Sequence, residues 1–305
     1  MTKWSLYIGL VFVMICWGAN VVAIKILVNA FSPITITALR LLVAALTVLA
    51  ILAVTRQSQS VTARQLVWIG LVGLFNVVGH HYFLSAGLVK TTASNAGIIL
   101  GMSPLVTGLL AIVILRERLG VSKFVGIVLG FTGVIFIVIH SSAKLGSVSL
   151  GDVSIFCAVL AQALSFIFIK KLAETMDVRA LTAWMLLIGS VILFIIGLVT
   201  EKDGLSKLLE GRGSAWLVFL ASAMVASGLG QMIYNRTIQQ LGAAEAAIFI
   251  NLSPFFSLVA SSLFLGETIQ MVQWLGFLLV VIGVLFASGA LEQGTRQSLR
   301  RKIMG

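Results

Sequence analysis

The residues that could do chemistry in this 305-residue chain are polar side chains set inside long apolar runs. They are Asn20, Asn76, His80, Asn95, Gln162, Ser165, Gln231, Asn235 and Asn251, with the amphipathic aromatics Trp17, Tyr82 and Tyr234. Amides, a hydroxyl, an imidazole, indole and phenols both donate and accept hydrogen bonds, which suits holding a polar molecule more than breaking its bonds. Asn76 and His80, and again Gln231 and Asn235, stand four apart, so each pair shares one helix face. Any one of these residues is explained as well by a bond between helices, worth ~0.6–2 kcal/mol in a membrane. Taken together, the set fits the lining of a pathway.

Two cations, Lys25 and Arg40, also fall within apolar runs. Lys25 is expected to reach an interface along its flexible stem. Arg40 lies on the order of 9–10 Å into its run if the run is helical, and no acidic residue stands in the apolar core to pair with it. It is expected to cap backbone carbonyls, with attraction of a substrate carboxylate as the alternative. Pro104 and Pro254 each precede a glutamate, Glu117 or Glu267, by thirteen residues. An interior proline removes an amide donor and clashes with the carbonyl four residues back, here Leu100 or Ile250. Kinks near mid-membrane are therefore expected, with Gly101 and Asn251 beside freed carbonyls that polar substrate groups could reach. The plainer alternative is a kink that only makes room for neighbours.

Enzyme chemistry finds little support. His80 and His81 project about 100° apart on a helix, His140 is remote, and Cys16 and Cys157 lie singly in apolar stretches. No metal-ligand spacing, paired buried carboxylates or phosphate-binding G-x-x-x-x-G-K-[ST] loop occurs, so neither a metal nor a cofactor is expected. A proton-coupling role at His80 stays open. Glu245 opens an apolar run, where a carboxylate favours a helix N-terminus; titration during transport is the alternative.

The elements that must position these residues follow from composition. The chain is 59% hydrophobic and only 10% charged, against about 25% charged in soluble domains, so most of its outside must face lipid. About 20 apolar residues cross the hydrocarbon as a helix. Ten stretches qualify: 5–28, 34–54, 66–88, 92–115, 121–140, 150–171, 180–200, 214–237, 243–265 and 270–290. The first continues too far for a signal peptide. With the N-terminus cytoplasmic, fourteen Lys/Arg fall on that side and five on the other, which places both termini inside. The net charge of +11 then reads as topology, and nucleic acid is not an expected partner.

A shift of 150 residues lays Ala93, Ala96, Ile98, Ser103, Pro104, Leu115, Glu117, Gly126, Leu129, Gly133, Val134 and Phe136 on Ala243, Ala246, Ile248, Ser253, Pro254, Leu265, Glu267, Gly276, Leu279, Gly283, Val284 and Phe286. The chain thus divides into repeats over 1–145 and 146–305. Five spans per repeat is an odd number, so the two copies must lie with opposite orientation. The expected fold is an all-α polytopic membrane protein of ten transmembrane helices in two inverted five-helix repeats, the architecture of secondary transporters. The GxxxG spacing at Gly126/Gly130 and the alanines 243–247 mark close helix packing.

Trp17-Gly18-Ala19-Asn20, Leu39-Arg40, Ser103-Pro104…Glu117…Gly126…Gly133 and Ser253-Pro254…Gly266-Glu267…Gly276…Gly283 resemble the drug/metabolite transporter superfamily and its EamA family. The first copy departs by carrying Arg116 where the second has Gly266. The resemblance implies a ten-helix carrier of amino acids, related amines or other small metabolites. The expected activity is export by alternating access across a cell (inner or plasma) membrane, with a transporter-fold scaffold or receptor and an intramembrane enzyme as alternatives. Expected partners are a small-molecule metabolite and the lipid bilayer, with a homodimer left open.

Overall fold

The structure, a computed structural model, describes residues 3–56, 61–90, 99–116, 120–139, 149–211, 213–265 and 269–288. Asn95, Glu117, Glu267 and His140 lie outside these residues, as does the Lys25 side chain. Helix α1 (Lys3–Ala30) leads into α2 (Pro33–Val54), whose proline sits in the first turn, where its missing N–H has no partner to lose. Helix α3 (Ala63–Lys90) starts from a Thr62/Gln65 capping box and widens into a π-helical stretch over Leu74–Gly79. Helices α4 (Ser103–Leu115) and α5 (Val121–Ile139) follow. A Ser149/Asp152 capping box opens α6 (Leu150–Leu172), and Asp177 caps α7 (Val178–Thr200). Helix α8 (Gly213–Leu241) carries a second π-helical stretch, Ser222–Leu229. Helix α9 is built of Ala243–Ile248, a 3-10 turn Phe249–Leu252 and Ser253–Leu265, and α10 is Met271–Ser288.

No strand occurs among the described residues. Among the described residues, seven helices are long and apolar enough to cross a membrane: α1, α2, α3, α6, α7, α8 and the Ala243–Ala260 part of α9. Helices α4, α5 and α10 add shorter apolar segments. Outward faces expose Ile8, Phe12, Val67, Leu109, Val113, Leu217 and Leu263 among many others, a surface suited to hydrocarbon and unsuited to water. Each proline follows a local interruption of regular α-helix, a turn at Gly101–Met102 before Pro104 and the 3-10 turn Phe249–Leu252 before Pro254. Pro104 is the second residue of α4 and Pro254 the second residue of the last α9 segment. A local departure from α-helical pairing just before the proline eases its clash with the carbonyl four residues back.

Glycines set the closest contacts. A methyl group at Gly133 would meet the Gly276 carbonyl and Val280; one at Gly283 would meet the Gly126 carbonyl and Gly130. As numbers rise along α5 they fall along α10, so the two helices cross antiparallel through residues that the 150-residue shift interchanges. Ser122 at one end of α5, donating to the Phe286 carbonyl at 2.6 Å, extends the same register. Other boundaries recur at that step: Ser103–Leu115 against Ser253–Leu265, and the π-helical bond from the His80 amide to Phe75 against that from Gly230 to Val225.

Candidate functional site

The candidate residues gather into three polar groups around an aromatic core. In the first, α3 faces α6. The Asn76 amide donates to Ser165 Oγ at 2.8 Å, and Ser165 donates to the Gln162 carbonyl at 2.6 Å. His80 Nδ1 lies 3.1 Å from the Ala158 carbonyl, and its Nε2 lies 3.4 Å from Gln162 Nε2. Gln162 Oε1 in turn takes a long bond, 3.5 Å, from Ser103 Oγ, beside the buried Pro104. The adjacent His81 ring meets His80 edge-on at 4.8 Å, so the two imidazoles touch despite projecting differently. Close approach is possible because Gly79 and Gly87 let α3 reach Ala161 and Ile155 of α6.

The second group joins α1, α2 and α8. Arg40 is buried, and its Nη1 donates to Ser227 Oγ at 2.6 Å and more weakly to Ser222 Oγ at 3.5 Å. Ser222 donates to the Asn20 side-chain oxygen in a short hydrogen bond. Trp17 Nε1 donates to the Ala226 carbonyl at 2.9 Å, an acceptor in the π-helical stretch, where altered backbone pairing opens carbonyls to side chains. Hydroxyls therefore hold Arg40, not the backbone carbonyls expected of it. Its Nη2 has no hydrogen-bond partner among the described residues.

The third group ties α7 to α8. Gln231 donates to Asn235 Oδ1 at 3.1 Å, as their four-residue spacing requires, and Asn235 donates to Thr182 Oγ1 at 2.9 Å. Between the groups stands the aromatic core: Tyr234 packs 4.9 Å from Trp17 and 5.0 Å from Phe166, ring centre to ring centre. Among the described residues the buried Tyr234 hydroxyl has no partner, nor do the two side-chain polar atoms of Asn251, wedged against Gly130. Tyr82 is half-buried and packs edge-on to Phe83 at 5.6 Å, apart from these groups. Pro254 is half-buried at the α9 break.

Sequence reasoning missed Ser222, Ser227, Thr182 and Phe166. Ser222 and Ser227 are five apart, which on an α-helix turns them to different faces. Where backbone bonds run five residues back, such positions stack, and both reach Arg40. A wide turn was the missing signal. Glu245 does more than favour a helix start: it accepts from Tyr7 of α1 at 2.8 Å and pairs with Lys123 of α5 at 3.1 Å. An apolar groove of about 460 Å³ between α3 and α7, lined by Val67, Trp68, Leu71 and Ile192, contains none of these residues.

A model of the EamA-like transporter family matches residues 4–139 and 149–289. The chain is 30% identical over 296 residues to "Uncharacterized transporter YyaM" of Bacillus subtilis, covering 94% of this chain and 95% of that one. It is 29% identical to an "Uncharacterized transporter" of Archaeoglobus fulgidus, over 93% of this chain and 98% of the relative. A chloroplastic WAT1-related protein of Arabidopsis thaliana is 23% identical over 88% of this chain and 66% of its own length. A solved crystal structure superposes with a TM-score of 0.77 at 16% identity, over 94% of this chain and 98% of that one. That likeness concerns the fold.

Proposed function

Because the chain belongs to the EamA-like transporter family, we propose that it is a secondary transporter that exports amino acids or similar small polar metabolites. Export proceeds by alternating access between two inverted five-helix repeats, 1–145 and 146–305, that together make ten membrane spans. The protein resides in a cell (inner or plasma) membrane with both termini cytoplasmic, as the charge bias supports. The observation that carries this reading is the antiparallel crossing of α5 on α10 through interchangeable glycines, the contact that two inverted copies would make with each other. The polar groups beside Trp17, Tyr234 and Phe166 supply hydrogen-bonding surface at membrane depth, which is costly unless it faces a bundle interior or a pathway.

The test is reconstitution into liposomes with a panel of labelled amino acids, comparing loaded vesicles with externally supplied solute. Flux that favours exit from the cytoplasmic face supports export. No flux of any solute from monodisperse, correctly inserted protein sinks the reading. A Pro104→Ala/Pro254→Ala double substitution, which lets both broken helices run on, is expected to lower flux at least tenfold; a scaffold with a transporter's shape would be indifferent to it.

A further inference from the structure

Arg40 is a cation in an apolar bundle with 2% of its surface exposed. Among the described residues no carboxylate lies within ion-pair distance of it; the ion pairs found are Lys123–Glu245 and Arg179–Asp177. Neutral hydroxyls of Ser227 and Ser222 satisfy Nη1, while Nη2 is buried and unpartnered. A buried cation without a counter-charge is unfavourable, and a guanidinium presents paired donors that match a planar carboxylate. Packing alone does not call for the charge. A step of 145 residues, the offset between the two starts of the family match at 4 and 149, carries Pro33 at the head of α2 onto Val178 at the head of α7. The same step puts Met185 where Arg40 stands. The Met185 sulfur lies 4.0 Å from the Asn235 side-chain amide of α8, whereas Arg40 reaches the α8 hydroxyls Ser222 and Ser227. One copy fills the position with an uncharged thioether and the other with a cation.

We propose that Arg40 binds a carboxylate of the transported solute through Nη2, with Ser222 and Ser227 fixing the guanidinium and Asn20 fixing Ser222. The site lies between α1, α2 and α8, next to the Trp17–Tyr234 wall, which is placed to receive the solute's less polar part. This inference rests on the transporter reading, yet it is tested by binding as well as by flux. Solutes would be recognised as acids, so that an amine lacking the carboxylate, or an acid blocked as its ester, is a poor ligand.

The experiment uses the full purified chain and follows its melting temperature against a panel of small monocarboxylic and dicarboxylic acids, including amino acids. Each acid is tested beside its methyl ester, with chloride and phosphate at matched ionic strength. The expected result is protection by one or more acids, with at least tenfold weaker half-saturation for the matched ester and no comparable protection by inorganic anions. Arg40→Gln and Arg40→Met should abolish protection, and Arg40→Lys should keep a fraction, since an ammonium supplies charge without the fork. Equal protection by ester and acid, or by chloride or phosphate, overturns the proposal. So do an unaltered acid response in Arg40→Gln and no protection by any acid. Should both neutral variants misfold, the ester comparison on the unmodified chain still decides. Absence of flux with intact acid binding would sink the transporter reading and leave the Arg40 site standing.

Discussion

A buried amide with nothing to bond is a conspicuous residue in an apolar bundle. Asn251 is wholly buried at the 3-10 turn of α9, and neither its side-chain oxygen nor its nitrogen finds a partner among the described residues. An unsatisfied buried polar group costs ~1–3 kcal/mol, so its removal should not weaken the fold. Asn251→Ala is expected to leave the melting temperature unchanged or raise it while lowering transport; a lower melting temperature with full transport would assign it to packing alone. At this scale the sequence was informative where spacing obeys the α-helical repeat. Gln231 and Asn235 do bond four apart, and Asn76 and His80 do face a common partner, α6. It was silent about Ser222 and Ser227, because nothing in a list of small hydroxyl residues announces that a wide turn will stack them under Arg40.

Helix ends explain a second set of bonds. Ser32 at the head of α2 makes no side-chain cap, and its place is taken from across the molecule by Glu201. That carboxylate accepts from the Ile34 and Thr35 amides at 2.9 and 2.8 Å and from Thr35 Oγ1 at 2.7 Å. It thus answers the exposed donors and the positive dipole end of α2 while fastening α2 to α7. Glu201→Ala should cost ~0.5–2 kcal/mol of stability in chemical unfolding, the range for a lost cap, and Glu201→Gln should cost less. Asp177 caps its own helix and forks onto Arg179, at 2.6 Å to Nη2, which holds its carboxyl below the ordinary aspartate range. A depressed folded pKa means that this contribution is complete above the unfolded value and fades as pH falls through the folded one. Asp177→Asn should therefore flatten the loss of stability on acidification below about pH 4, the unfolded aspartate value, and an unaltered acid limb would contradict the cap. The existence of the helices was legible from apolar run length. Their interruptions were not, since six or eight residues are too few for a hydropathy pattern to separate a π-helical from an α-helical turn.

Helices α5 and α10 meet where glycine permits it. Because Gly133 lies against Gly276 and Gly283 against Gly126, each substitution tests the same contact from opposite sides. Gly133→Leu and Gly283→Leu should each destabilise by ~1–3 kcal/mol through overpacking, and by similar amounts, as read from denaturant midpoints in detergent. One severe and one silent substitution would break the equivalence of the copies. The helix starts and this crossing were legible in the sequence: the Ser-Pro pairs fall at the heads of Ser103–Leu115 and Ser253–Leu265, and the glycines seven apart fall at the α5–α10 contact. Charge was less legible, because apolar spacing says nothing about which copy of a duplicated position carries an arginine.

The wide stretches in α3 and α8 also bear on how such a chain can change over time. A backbone bond that spans five residues instead of four accommodates an added residue locally while the flanking helix stays in step. Shortening the chain by one residue within Ser222–Leu229 could then be absorbed by an ordinary turn, leaving both flanks seated. The cost would fall on the interior: Ala226 would return its carbonyl to the helix, Trp17 would lose its acceptor, and the two serines would turn apart beneath Arg40. Insertions and deletions, commonly confined to loops, are here a means of editing the centre of the bundle.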